Sequence, residues 1–115
     1  MIMGGSIGIV VNEVLSRHVD SFLAEAETDR YPYAVYSSSV TPVYTKDGIH
    51  HYESDVVVTI YAEDLDKADA IADKVIRDMT NHEYEWFVAR MVSTTPDCVE
   101  GVWTREIVFR IKEFV

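Results

Sequence analysis

Only one cysteine, Cys98, occurs among the 115 residues, so no intramolecular disulfide can form and a thiolate zinc site would lack partners. A reducing compartment suits such a chain. Basic residues are also scarce: 10 Lys and Arg stand against 20 Asp and Glu, a formal charge of −10. That balance opposes binding to a polyanion, which needs clustered cations, and opposes adhesion to an anionic membrane surface. The few basic residues are scattered along the sequence. No apolar run approaches bilayer-spanning length, and Met1-Ile2-Met3-Gly4-Gly5-Ser6 lacks the positive flank of a secretory signal, the first basic residue being Arg17. The expectation is a protein that works where it is made, or in an assembly built there. Among the 5 glycines, Gly4, Gly5 and Gly8 have no strand before them, so no phosphate-cradling loop is predicted. Repeats, low-complexity tracts and linkers are missing too.

What is present is globular: 48% hydrophobic residues with 26% charged ones. The length suits one domain, 1–115, able to bury about two thirds of its unfolded surface in a two-layer core. Ile7, Val10, Val11, Val14, Leu15, His18 or Val19, Phe22 and Ala26 follow a helical stripe. They predict a first helix from about Ser6, its cap, to Ala26, with Glu13 four residues before Arg17. A competing reading makes Ile7–Val11 a short strand, because Gly8 and the β-branched neighbours weaken a first turn.

Tyr31-Pro32-Tyr33 stops a helix, and two Val-, Tyr- and Thr-rich segments follow, Tyr33–Lys46 and Ile49–Ala62, separated by the hairpin signal Asp47-Gly48. With Asp47 and Gly48 at the turn's centre, Val35 faces Ile60 and Ser37 faces Val58 on one side. On the other, Ala34 faces Tyr61, Tyr36 faces Thr59 and Ser38 faces Val57. Each arm would reach roughly 45 Å at the usual strand rise, so the polar 40–55 region is predicted to project as an arm or loop. Leu65, Ala68, Ile71, Ala72, Val75, Ile76 and Met79 mark a second helix over Asp64–Met79. Strands are predicted over Tyr84–Thr94 and Val102–Phe114, separated by Thr95-Pro96-Asp97 and Gly101. In the last, Trp103, Ile107, Phe109 and Ile111 share one face. The expected fold class is α+β: two helices packed on one face of a four-stranded, mainly antiparallel sheet, in the order α-β-β-α-β-β, with a long first hairpin.

No chemical motif stands out. His51, Glu53 and Asp55 could line one strand face, but His50 points the other way and no supporting shell is evident, so no metal is expected. His18 and His82 have no sequence-local partner. Cys98 has no positive neighbour to activate it, and the acids of Asp64–Asp78 read as a solvated helix face. No catalytic residue and no cofactor is predicted, and an enzyme is not expected. One feature points elsewhere. The derived register gathers Ala34, Tyr36, Val57 and Tyr61 on the sheet face the helices leave bare, and such a patch marks a protein contact. Tyr44 and His51, on the overhanging hairpin, extend this candidate interface toward a neighbouring subunit.

The run Tyr31-Pro32-Tyr33-Ala34-Val35-Tyr36, with Val56-Val57-Val58-Thr59-Ile60-Tyr61 entering a helix through Ala68, Ile71, Ala72, Val75 and Met79, resembles the small tail completion proteins of long-tailed bacteriophages and prophages. These are relatives of the tail terminator. The resemblance is one of hydrophobic and aromatic positions over nearly the whole chain, without a chemical motif. It implies a non-enzymatic subunit that assembles into a ring, hexameric in the better-known members, in the virion tail. It further implies assembly in the bacterial cytoplasm, with the tail tube protein and the head connector as partners. An acidic ring would let DNA pass without specific nucleic-acid binding. The rival readings are a small ferredoxin-like α+β domain that dimerises through its sheet and binds or acts on a small molecule, and an adaptor holding a peptide along a sheet edge.

Overall fold

Alternation along one strand organises the molecule: Val56, Val58 and Ile60 point inward and are fully buried, whereas Val57, Thr59 and Tyr61 point outward and are half-buried. The computed structural model describes residues 4–23, 30–81 and 87–114. Among them the elements are helix α1 (Gly4–Ser16), strands β1 (Asp20–Leu23), β2 (Tyr33–Thr45) and β3 (Gly48–Ala62), helix α2 (Leu65–Thr80), and strands β4 (Phe87–Val99) and β5 (Val102–Phe114). The sheet order is β1-β2-β3-β5-β4; β1 runs parallel to β2 and the other pairs are antiparallel.

The expected four-stranded sheet and its α-β-β-α-β-β order are therefore corrected to a five-stranded mixed sheet. The difference arises after Ser16. Arg17 and His18 close a last turn onto the carbonyls of Val14 and Leu15, at 3.3 and 3.0 Å. Val19, Asp20 and Ser21 are poor helix formers, and Asp20–Leu23 instead pairs with Tyr33–Tyr36. The gain is a partly covered edge: without β1, the outer backbone groups of Tyr33–Tyr36 in β2 would lie unpaired. Ser21 Oγ donates to Asn12 Oδ1 at 2.8 Å, tying the new strand to α1. Ser6 lies inside α1, not at its cap, and the Ile7–Val11 strand alternative is excluded because these residues are helical. Ala26, His82 and the expected strand start at 84–86 lie outside the described residues.

Both helices cover one sheet face. Val10, Val11, Val14 and Leu15 of α1 and Ala72, Val75 and Met79 of α2 meet Ala34, Tyr36, Val56, Val58, Ile60, Ile107, Phe109 and Ile111 in a single core. The turn after α1 is also tied to α2, by His18 Nε2 and Asp78 Oδ2 at 2.6 Å. Arg105 of β5 binds Asp69 of α2 and donates through Nε to Thr94 Oγ1 of β4 at 2.7 Å. Asp64 caps α2 from an extended backbone, its carboxylate accepting from Lys67 N at 2.8 Å. Asp64→Ala should lower the unfolding free energy by about 1 kcal/mol, read as a lower urea midpoint with an unchanged slope.

The hairpins also differ from expectation. A tight type I′ turn needs positive φ at both central residues. Glu100 (φ 51°) and Gly101 (φ 81°) meet that demand between the paired Val99 and Val102. Asp47-Gly48 does not, because only Gly48 (φ 118°) is positive there. Lys46 and Asp47 take the centre instead, Thr45 faces Gly48, and Thr45 Oγ1 accepts from Asp47 N at 3.3 Å. A register shift between Val43 and Tyr44 follows, after which Ala34 faces Ile60, Val35 faces Thr59 and Tyr36 faces Val58. The expected partners are off by one residue. Thr95-Pro96-Asp97 is not a turn but part of β4, where Pro96 sits on the sheet's outer strand and its missing N–H costs no ladder bond. Nor is 40–55 an arm. β3 pairs with β5 as far as His51 opposite Phe114, so only the short tip 44–50 overhangs. The turn joining β4 to β5 lies at the other end of a molecule measuring 52 × 25 × 21 Å.

Candidate functional site

A one-residue slip exchanges the faces of a strand, and here it divides the predicted patch. Ala34 (0% exposed) and Tyr36 (7%) lie beneath the helices in the core, which corrects their placement on a bare face. Val57 and Tyr61 are on the open face, on either side of Thr59. Tyr44, 67% exposed, belongs to the overhanging tip. His51 is only 7% exposed, with Nδ1 on His50 Nδ1 at 2.7 Å and Nε2 on Glu53 Oε1 at 3.2 Å. The six residues thus do not form one surface.

What the open face does present is a stripe and a cleft. The stripe begins with stacked tyrosines: Tyr33 and Tyr61 face each other across β2 and β3 with ring centroids 4.7 Å apart, and Tyr31 stacks on Tyr33 at 5.5 Å. Offset stacks of this kind stabilise beyond their buried area. Burial, with the neighbouring Tyr31 and Tyr61 hydroxyls, raises the Tyr33 pKa above its ordinary 10.0, so Tyr33 remains uncharged at neutral pH. Val35, Val57, Thr59 and Val108 continue the stripe, each half-buried.

Beyond the stripe lies a cleft of about 270 Å³ lined by Glu53, Val88, Arg90, Arg110 and Lys112. The strand register makes it: Lys112 sits between Glu53 and Val88, and Arg110 between Asp55 and Arg90. Arg110 Nε pairs with Asp55 Oδ1 at 3.2 Å. Three cations that look scattered in sequence are therefore neighbours. Sequence reasoning recognises Arg110 and Lys112 as one face of the last strand; Arg90 joins them only through the pairing of β4 with β5. Exposed acids lie at the opposite end of the sheet: Glu63, Asp64 and Asp66 around the start of α2, and Glu100 in the β4–β5 turn.

Among the described residues no group of three or more His, Cys, Asp or Glu side chains could hold a metal ion, and no helix is long and apolar enough to cross a membrane. Cys98 is exposed, and its own N–H donates to Asp97 Oδ1 at 2.8 Å.

Comparison with known proteins agrees with the fold. The chain is similar to a chain in a structure described as the virion of a native gene transfer agent (GTA) particle, with a TM-score of 0.68 at 16% identity, covering 92% of this chain and 85% of that one. At that identity the likeness is one of fold. No family model and no curated protein matches the sequence.

Proposed function

We propose that this chain is a non-enzymatic structural protein of a phage or phage-like particle that completes or terminates the tail tube and joins it to the head connector as a ring of identical subunits. The observation that carries the reading is the fold shared with a virion chain over nearly the full length of both. The resemblance of the Tyr31–Tyr36 and Val56–Tyr61 strands to tail completion proteins narrows it to the tail. The open sheet face supports assembly, because its aromatic stripe and charged cleft offer contact area without a convergent catalytic constellation. A closed ring needs two different patches on each subunit, related by a rotation. The excess of 10 acidic over basic charges suits a channel that DNA traverses without sticking.

The test is genetic and microscopic. Deleting the gene from the element that encodes it should leave particles with heads and tails unjoined, or tails of uncontrolled length, in electron micrographs. A tagged copy should label the junction between tube and head. Joined particles of normal tail length that form without this protein would overturn the proposal.

A further inference from the structure

We infer that the basic cleft on the open sheet face receives the acidic opposite end of a second copy of this chain, in a head-to-tail contact. The inference rests on the assembly reading above and names the surfaces that assembly would use. Arg90 and Arg110 stand directly opposite each other on β4 and β5. Like charges so placed destabilise a sheet unless anions answer them. Asp55 answers Arg110. Arg90 is exposed and has no ion pair among the described residues. Among the described residues the cleft's only acidic lining residue is Glu53, two strands away from Arg90 and beside Lys112.

The unanswered acids are at the other end. Glu63, Asp66 and Glu100 are exposed and form no ion pair among the described residues, while Asp64 is engaged only as the cap of α2. From Val102, beside the β4–β5 turn, to Arg110 is roughly 27 Å along β5 at the usual rise. A single copy does not bring these two patches together, so their pairing needs a second copy. The two patches differ, one a concave basic cleft and the other an acidic end. Their union is therefore heterologous and propagates beyond a dimer, closing into a ring when the rotation permits. Val88 and Lys112, which also line the cleft, add apolar and cationic contact to the Arg90 pair.

The experiment is sedimentation velocity on the purified full chain over a range of concentrations, comparing the native protein with Arg90→Glu, Glu100→Arg, the double variant and an equimolar mixture of the two single variants. Native chains should form assemblies larger than dimers, weakened about ten-fold or more between about 50 and about 500 mM salt. Each single variant should weaken association about ten-fold or more, and both the mixture and the double variant should recover it, because each again sets a cation against an anion. Both sites are exposed, so circular dichroism should be unchanged and neither urea midpoint should fall; that of Arg90→Glu should rise slightly, because an anion then faces Arg110. A strict monomer, a dimer as the largest species, an Arg90→Glu variant that associates normally, or failure of the charge swap to restore association would each overturn the proposal. Particles distinguish this from failure of the assembly reading. Equal incorporation of native and Arg90→Glu chains overturns the contact alone, whereas absence of the native chain from particles overturns the reading beneath it.

Discussion

Tyr36→Ala should destabilise the fold by about 3–5 kcal/mol, while Tyr61→Ala should cost only about 1–2 kcal/mol. The two tyrosines look alike in sequence, each near the helix-proximal end of a long strand, and the difference comes from the face each occupies. Tyr36 faces Val58 in the core, between β1 and β3, where truncation leaves a cavity that neighbouring side chains cannot fill. Tyr61 faces Tyr33 on the open side and loses one stacked partner, with solvent free to fill the space. Against a domain stability of about 5–15 kcal/mol, the first loss leaves a marginal protein and the second a folded one. Urea titrations read both values. Equal losses would mean that the two rings share a face, and the register described here would be wrong. If the open face is an assembly surface, Tyr61→Ala should also reduce incorporation into particles while the isolated chain stays folded.

How far the sequence reveals this molecule depends on the range of the forces involved. The stripe from Leu65 to Met79 and its Asp64 cap are local, and α2 forms where they predict it. The alternation of Ile107, Phe109 and Ile111 is likewise local and places them in the core. The first hairpin goes wrong by a single residue, because Asp47-Gly48 carries the dipeptide of a type I′ turn without its dihedrals. That choice depends on how Thr45 and the shifted Val43–Tyr44 pair accommodate the turn. One residue suffices to move Ala34 and Tyr36 from the bare face to the core. β1 is harder still to read. Val19 and Phe22 continue the helical period of α1, and only the exposed edge of β2, more than ten residues downstream, makes a strand the better use of Asp20–Leu23. The Arg90–Arg110 juxtaposition is a product of strand order, which no local pattern encodes.

Glu113 marks the place where the chain breaks its own rule, and replacing it should stabilise the protein. The inward alternation of Ile107, Phe109 and Ile111 continues to position 113, where an apolar residue belongs and a carboxylate stands. The side chain is fully buried between Tyr52 of β3 and Phe87 of β4; among the described residues neither carboxylate oxygen has a hydrogen-bond partner, and the nearby Ser54 hydroxyl has none either. Burial disfavours the charged form and raises the Glu113 pKa above its ordinary 4.5. The folded state therefore binds this proton more tightly than the unfolded state. The contribution to stability is fully present below the ordinary value and is lost as pH rises through the raised one. Above the raised value the protein carries the cost of a buried charge. Glu113→Leu removes both charge and unpartnered oxygens and should raise the unfolding free energy at pH 8 by about 1–3 kcal/mol, or roughly 3–5 °C in Tm per kcal/mol. Glu113→Gln keeps the shape and the polar atoms but not the charge, so its gain should be confined to the higher pH. Thermal melts of the three proteins at pH 4 and pH 8 separate the contributions: a gain for Gln that vanishes at pH 4 identifies the charge, and a residual gain for Leu there identifies the unpartnered oxygens. A Leu variant less stable than the native chain at pH 8 would show that the carboxylate is answered in the folded protein, and the account of this strand end would fail.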